Sequence, residues 1–158
     1  MPTVRGSRVV VLGGYGAFGA RVSERLAASP GLELVVAGRS RERAERFARE
    51  LAARSGASVG AGVMDAESIT ADHLMAERAS LVINASGPFQ TQDYRVARAA
   101  IDAGAHYVDL ADARGFVTGI GALDGAASER AFSSSAARAR CRRCRQPWPT
   151  SLRPGSPP

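Results

Sequence analysis

Apolar positions along the chain follow two periods in alternation. Unbroken or nearly unbroken apolar runs at about Arg8–Gly13, Leu32–Ala37, Ala57–Met64, Ser80–Asn84 and His106–Leu110 read as strands, the first covered by helices on both faces. Between them, apolar residues recur every three or four positions. Phe18, Val22 and Leu26 give the segment Ala17–Ala28 one face to pack on a sheet; Phe47 and Leu51 do the same for Arg41–Ala53, whose charges form a solvated face. Ser68–Arg78 turns Ile69 and Leu74 inward, and Gln92–Ala103 carries Tyr94, Val96, Ala97, Ala100 and Ile101 on its apolar side. Ser29-Pro30-Gly31 and Gly104 stop two of these helices. Phe116–Leu123 reads as a loop or short helix, and Met1–Ser7 as a frayed lead-in. The alternation predicts a doubly wound α/β domain over residues 1–127, with a mainly parallel sheet in 3-2-1-4-5 order. A disordered tail is expected over 128–158.

The most informative stretch is the turn that closes the first strand. Gly14, Gly16 and Gly19 stand in G-x-G-x-x-G register directly after a buried strand, and a helix opens at once. In such a turn the first glycine allows the bend, the second lets the backbone approach a pyrophosphate, and the third lets helix and strand pack closely. Exposed N–H groups at the helix start then face the phosphates. The alternative is a glycine-rich turn that binds nothing.

The end of the second strand bears on which dinucleotide would fit. An acid about twenty positions beyond the glycine turn accepts hydrogen bonds from a ribose 2′-OH and favours NAD, whereas an arginine accommodates the 2′-phosphate of NADP. The chain offers Gly38, Arg39 and Ser40 and no acid, which favours NADP. Ser40 also has the chemistry of a helix N-cap, a role compatible with phosphate contact. Asp65, after the third strand, is placed to touch the adenine or to cap the next helix. Asn84–Phe89 falls beside the crevice where the nicotinamide would lie, with Gly87-Pro88 offering a rigid backbone and Phe89 a ring to pack on it. His73 is isolated, has no partner that would suggest a metal or an acid–base pair, and reads as a surface residue. Asp109 and Asp112 lie at the same rim but form no defined catalytic pair.

Charge changes the picture only at the tail. The net charge is +6, yet residues 1–132 hold fifteen arginines and fifteen acids. The excess belongs to Arg138, Arg140, Arg142, Arg143, Arg145 and Arg153, near Cys141, Cys144 and Trp148. The Cys141–Cys144 pair lacks the further ligands that structural zinc needs, and an arginine arm is weak, unspecific support for nucleic-acid binding. No membrane-length apolar run and no secretory signal is visible, so the expectation is a cytoplasmic protein.

Five positioned features resemble the N-terminal NADP-binding domain of the saccharopine dehydrogenase-like oxidoreductases: G-G-Y-G-A-F-G at 13–19, A-G-R-S at 37–40, Asp65, N-A-S-G-P-F at 84–89 and A-G-A-H-Y-V-D-L-A-D at 103–112. The resemblance covers about residues 8–124. It implies that Gly14, Tyr15, Gly16, Ala17, Phe18 and Gly19 surround the pyrophosphate, that Arg39 and Ser40 meet the 2′-phosphate, and that Ser86, Gly87 and Pro88 lie beside the nicotinamide. Many members carry Gly-Glu shortly after the Y-x-D element, where this chain has Ala111-Asp112. Such proteins continue into a substrate domain, which this chain is not expected to hold. The implied function is an NADP-dependent oxidoreductase fragment that binds NADP(H) and turns over little, its small-molecule substrate undefined. A non-catalytic NAD(P)-binding sensor or scaffold is the competing reading. Because strands meant to follow Leu123 are missing, the fifth strand's free edge invites a homodimer or poor folding.

The tail also reads as translated out of frame. The absence of lysine anywhere suggests GC-rich coding DNA, and with such codons a shifted frame from Ser133 onward spells V-L-S-G-A-S-S-V-P-A-L-S-S-A-V, an apolar strand and a turn. Sequencing the encoding DNA is expected to reveal that continuation; an alternate frame that stops at once removes the idea.

Overall fold

Val9 to Leu12 lie almost wholly out of solvent, and the rest of the sheet assembles on both sides of them. The computed structural model describes residues 7–133. Their elements are β1 (Ser7–Leu12), α1 (Gly19–Ala27), β2 (Leu32–Gly38), α2 (Arg41–Ser55), β3 (Ser58–Val63), α3 (Ala71–Ala76), β4 (Leu81–Asn84), α4 (Arg95–Asp102), β5 (His106–Asp109), α5 (Arg114–Gly119), a 3-10 turn (Ile120–Leu123) and α6 (Asp124–Ser133). The five strands form one sheet in the order β3-β2-β1-β4-β5, and every pair is parallel. This is the Rossmann-like arrangement that the sequence pattern predicts.

Alternation along the inner strands sends side chains to two separate cores. Val10, Leu12, Val35, Ala37 and Val82 point to one face, where Leu74 of α3 and Val96, Ala99 and Ala100 of α4 close over them. Val9, Val11, Leu34, Val36 and Ile83 point to the other, under Ala27 of α1 and Leu51 of α2. At the amino end of the sheet, the Arg8 guanidinium meets the Glu33 carboxylate at 2.7 Å and ties β1 to β2. That pair is partly exposed, worth on the order of 1 kcal/mol or less.

Several helix limits differ from the sequence expectation. The glycine turn occupies the residues before Gly19, so α1 starts there, and Phe18 stands 72% exposed instead of packing on the sheet with Val22 and Leu26. Helix α4 begins only at Arg95, where the Asp93 carboxylate accepts the Arg95 N–H at 2.9 Å. Asp65 does not cap α3. Thr70 does, in a reciprocal box with His73, whose Nδ1 accepts the Thr70 N–H at 3.1 Å; His73 is exposed, as read from sequence. Phe116 lies in α5 and is buried, within the stretch read as a loop or short helix. The boundary placed after Ala127 falls inside α6, so helical structure continues to Ser133. The rest of the tail, with its arginine cluster, Cys141, Cys144 and Trp148, lies outside the described residues, as do the readings made of it.

Helix α3 spans six residues, too few to persist by itself, and Leu74 is its one buried side chain. Leu74→Ala is therefore expected to cost roughly 2–5 kcal/mol, read as a lowered urea midpoint with an unchanged slope.

Candidate functional site

At the carboxyl rim of the sheet, the backbone of Gly13 turns through a φ of 75°, which an L side chain rarely adopts. The N–H groups of Gly13 and Gly14 both donate to the Ala37 carbonyl, at 2.8 and 3.1 Å, and Gly16 N–H donates to Gly13 O at 2.8 Å. A Cβ on Gly14 would stand 2.7 Å from the Val11 carbonyl oxygen, and one on Gly19 would run into the Gly13 carbonyl. The bend assigned to Gly14 from sequence is therefore made at Gly13, while Gly14 and Gly19 serve close packing. A signal for this exists in the sequence, since Gly13, Gly16 and Gly19 are spaced by three. Ser23, fully buried on α1, donates its hydroxyl to Gly14 O at 3.0 Å and fixes the turn from beneath. No sequence pattern marked that serine.

Tyr15 reaches from this turn to the tip of β2. Its hydroxyl accepts the Ser40 N–H at 2.9 Å, and its ring covers Gly38 so closely that a side chain there would overlap it. Ser40 Oγ accepts the Arg43 N–H at 3.3 Å as the N-cap of α2, and Arg39 stands exposed beside it. Asp65 closes its own turn by accepting the Glu67 N–H at 3.1 Å.

The loop after β4 is held from one buried side chain. Asn84, 1% exposed, accepts both the N–H and the hydroxyl of Ser86 through Oδ1, at 3.1 and 2.5 Å. Its Nδ2 donates to Gln92 Oε1 at 3.3 Å and to the Tyr107 hydroxyl at 3.4 Å, while Gln92 Nε2 donates to the Ser86 carbonyl. Burial, the largest influence, pushes the Tyr107 phenol well above its usual range; the Asn84 hydrogen bond lowers it and Asp109 raises it further. Phe89 turns away from the rim and packs against Phe116, ring centroids 5.5 Å apart. It is buried, so its expected place against a nicotinamide is corrected. The backbone of this loop crowds Gly13, where a Cβ would lie 3.0 Å from the Ala85 carbonyl carbon.

These three loops enclose a cleft of about 840 Å³. Tyr15, Gly16, Ala17, Phe18, Arg39, Ser40, Asp65, Ser86, Gly87 and Pro88 all line it, and Gly14 and Gly19 lie behind its wall. Arg43 and Gln92 line it as well and were not singled out from sequence. Arg43 was legible in part, one helical turn beyond Arg39; Gln92 carried no signal. Asp109 accepts the Ala111 N–H at 3.1 Å and interacts with the Tyr107 phenol. Among the described residues no group of three or more His, Cys, Asp or Glu side chains comes together to hold a metal, and no helix is long and apolar enough to cross a membrane.

The cleft has the properties a dinucleotide requires. Any side chain on Gly14 or Gly19 would break the turn, and the hydrogen bonds of Gly13, Gly14 and Gly16 already hold it in shape. The Tyr15, Ala17 and Phe18 amides donate to no protein acceptor among the described residues. Residues 9–151 match the family model of the saccharopine dehydrogenase NADP binding domain. The chain belongs to this family. The match runs past residue 124, where the motif resemblance ends. A saccharopine dehydrogenase NADP binding domain of this kind is a nicotinamide dinucleotide-binding, oxidoreductase-like unit.

A lipid droplet localized protein of Caenorhabditis elegans is 39% identical over 108 residues, covering 65% of this chain and 25% of that protein. Among solved structures, the apo saccharopine dehydrogenase (L-Glu forming) of Saccharomyces cerevisiae superposes with a TM-score of 0.53 at 23% identity, covering 73% of this chain and 24% of that one. The bulky-bulky ketone specific alcohol dehydrogenase of Comamonas testosteroni gives 0.53 at 18% identity, covering 87% and 70%. Both structural likenesses show the shared fold. The chain spans about a quarter of the length of the worm and yeast proteins.

The raised Tyr107 phenol has a pH consequence for this NADP binding domain. Above the ordinary value of 10.0 the unfolded chain loses this proton while the folded one keeps it. The fold then binds more protons than the unfolded state, so its stability falls as pH rises. Alkaline unfolding followed by phenolate absorbance is expected to show one phenol that ionises only as the chain opens, and that phenol should be missing in Tyr107→Phe.

Proposed function

We propose that this domain holds NADP(H), in preference to NAD(H), as the cofactor half of an oxidoreductase. One observation supports the choice above others: Arg39 and Ser40 line the cleft at the tip of β2, where no carboxylate competes for a ribose hydroxyl. A guanidinium meets a phosphate in two parallel charge-assisted hydrogen bonds, on the order of 1.5–3 kcal/mol, and the Ser40 hydroxyl proton adds a donor. The glycine turn receives the pyrophosphate, and Ser86, Gly87 and Pro88 form the wall for the far end of the cofactor. Asp65 lies at the rim beside the adenosine half.

The bound nicotinamide supplies the hydride chemistry. The chain's own residues orient it: the Asn84–Ser86–Gln92 network fixes the backbone that the ring would touch. The domain by itself is expected to bind the cofactor and turn over little, since the chain spans about a quarter of the length of the worm and yeast proteins. The second reading is a sensor or scaffold that binds NADP(H) without chemistry. Steady-state assays with amino-acid-derived and carbonyl substrates separate the two, since a sensor leaves NADPH unoxidised under every substrate.

Calorimetric titration tests the cofactor assignment. The wild-type chain is expected to prefer NADPH, and Arg39→Ala should weaken NADPH by roughly tenfold or more while NADH binding stays nearly level. A preference for NADH, or indifference to the arginine change, removes the phosphate assignment.

A further inference from the structure

We infer that Arg43, carried on the ring of Tyr15, is a second cation of the 2′-phosphate subsite, and that Tyr15 is the positioning residue that joins this subsite to the glycine turn. The inference rests on the NADP reading of the cleft. Its starting point is a contact that the sequence did not announce: the Arg43 guanidinium carbon lies 4.9 Å from the centroid of the Tyr15 ring. On the same helix Arg41 pairs with Glu45 at 3.6 Å and Arg54 with Glu24 at 2.9 Å, while Arg46 and Arg49, like Arg43, form no ion pair among the described residues but do not line the cleft. Arg43 forms no ion pair among the described residues; it rests on an aromatic face and lines the cleft with Arg39 and Ser40.

The ring beneath it is held at both ends. At the backbone end Tyr15 belongs to the glycine turn; at the other its hydroxyl accepts the Ser40 N–H at 2.9 Å. Gly38 makes room for it, since any side chain there would occupy the space of the ring. The missing carboxylate at the end of β2 and the presence of Tyr15 are therefore one arrangement. With no side chain at Gly38, a tyrosine from the first turn lies across the second strand and presents its upper face to a guanidinium. Stacking leaves the edge N–H groups of an arginine directed outward, and a pre-ordered side chain gives up less conformational freedom when it closes on a phosphate. Arg39 and Arg43 then approach the same phosphate from the strand side and the helix side.

The test is a double-mutant cycle on the full 158-residue chain, titrated calorimetrically with NADPH and with NADH. Arg43→Ala is expected to weaken NADPH about tenfold and NADH less than about twofold. In a Tyr15→Leu background the same arginine change should alter NADPH binding by less than about twofold, because the platform is already gone. Tyr15→Phe keeps the ring and should keep most of the Arg43 effect, which leaves the test open if Tyr15→Leu melts far below the wild type. Equal weakening of both nucleotides by Arg43→Ala, or an Arg43 effect as large without the Tyr15 ring as with it, overturns the inference. If the wild type takes NADH as readily as NADPH, the underlying reading fails and this one with it. If Arg39→Ala abolishes the preference and Arg43→Ala leaves it intact, the second cation alone is refuted.

Discussion

The structure depends on one close approach of backbone to backbone: the start of α1 lies against the turn after β1 with no side chain between them. Gly19 has no room for a methyl group beside the Gly13 carbonyl, and Gly14 has none beside Val11. From that contact follow the direction of α1, the burial of Ser23 and its hydrogen bond to Gly14. The loop after β4 then leans on the same turn at Gly13, so both walls of the cleft are referred to a single bend.

What was legible in the sequence was what repeats. The two apolar periods located five strands and the helices between them, because burial on a sheet selects residues at regular spacing whatever their neighbours. Strand order was legible too, since the glycine turn marks β1 as central and right-handed crossovers leave little choice for the rest. Ten of the twelve residues proposed for the site line one cleft, and the other two, Gly14 and Gly19, support it from behind.

The misses share a cause: each involves a side chain whose direction is set by one partner distant in sequence. Phe89 looked like a ring for the cleft and turned instead to Phe116, an aromatic contact that outweighs exposure at a rim. Phe18 fits the helical period but precedes the first helical residue, so the spacing rule does not govern where it points. Gln92 was counted as the first helical residue, yet its amide serves Asn84 and Ser86 across the loop, and the helix waits until Arg95. Asp65 was read as a possible cap of α3, but the cap is Thr70, held in a reciprocal box with His73.

The centre and the margins of the sheet stand on unequal foundations. Val11, Val36 and Ala37 of β1 and β2 are sealed from water. At the margins, Val63 of β3 is 44% exposed, and around β5 Val108 and Leu110 remain 49% and 42% exposed. Local opening draws on the regions with the fewest buried contacts, and Tyr107 of β5 is hydrogen-bonded to the Asn84 that holds the loop after β4. One wall of the cleft thus stands on the sealed centre, while the Asn84 loop is tied to a strand that solvent reaches, so an occupant of the cleft has most to order there.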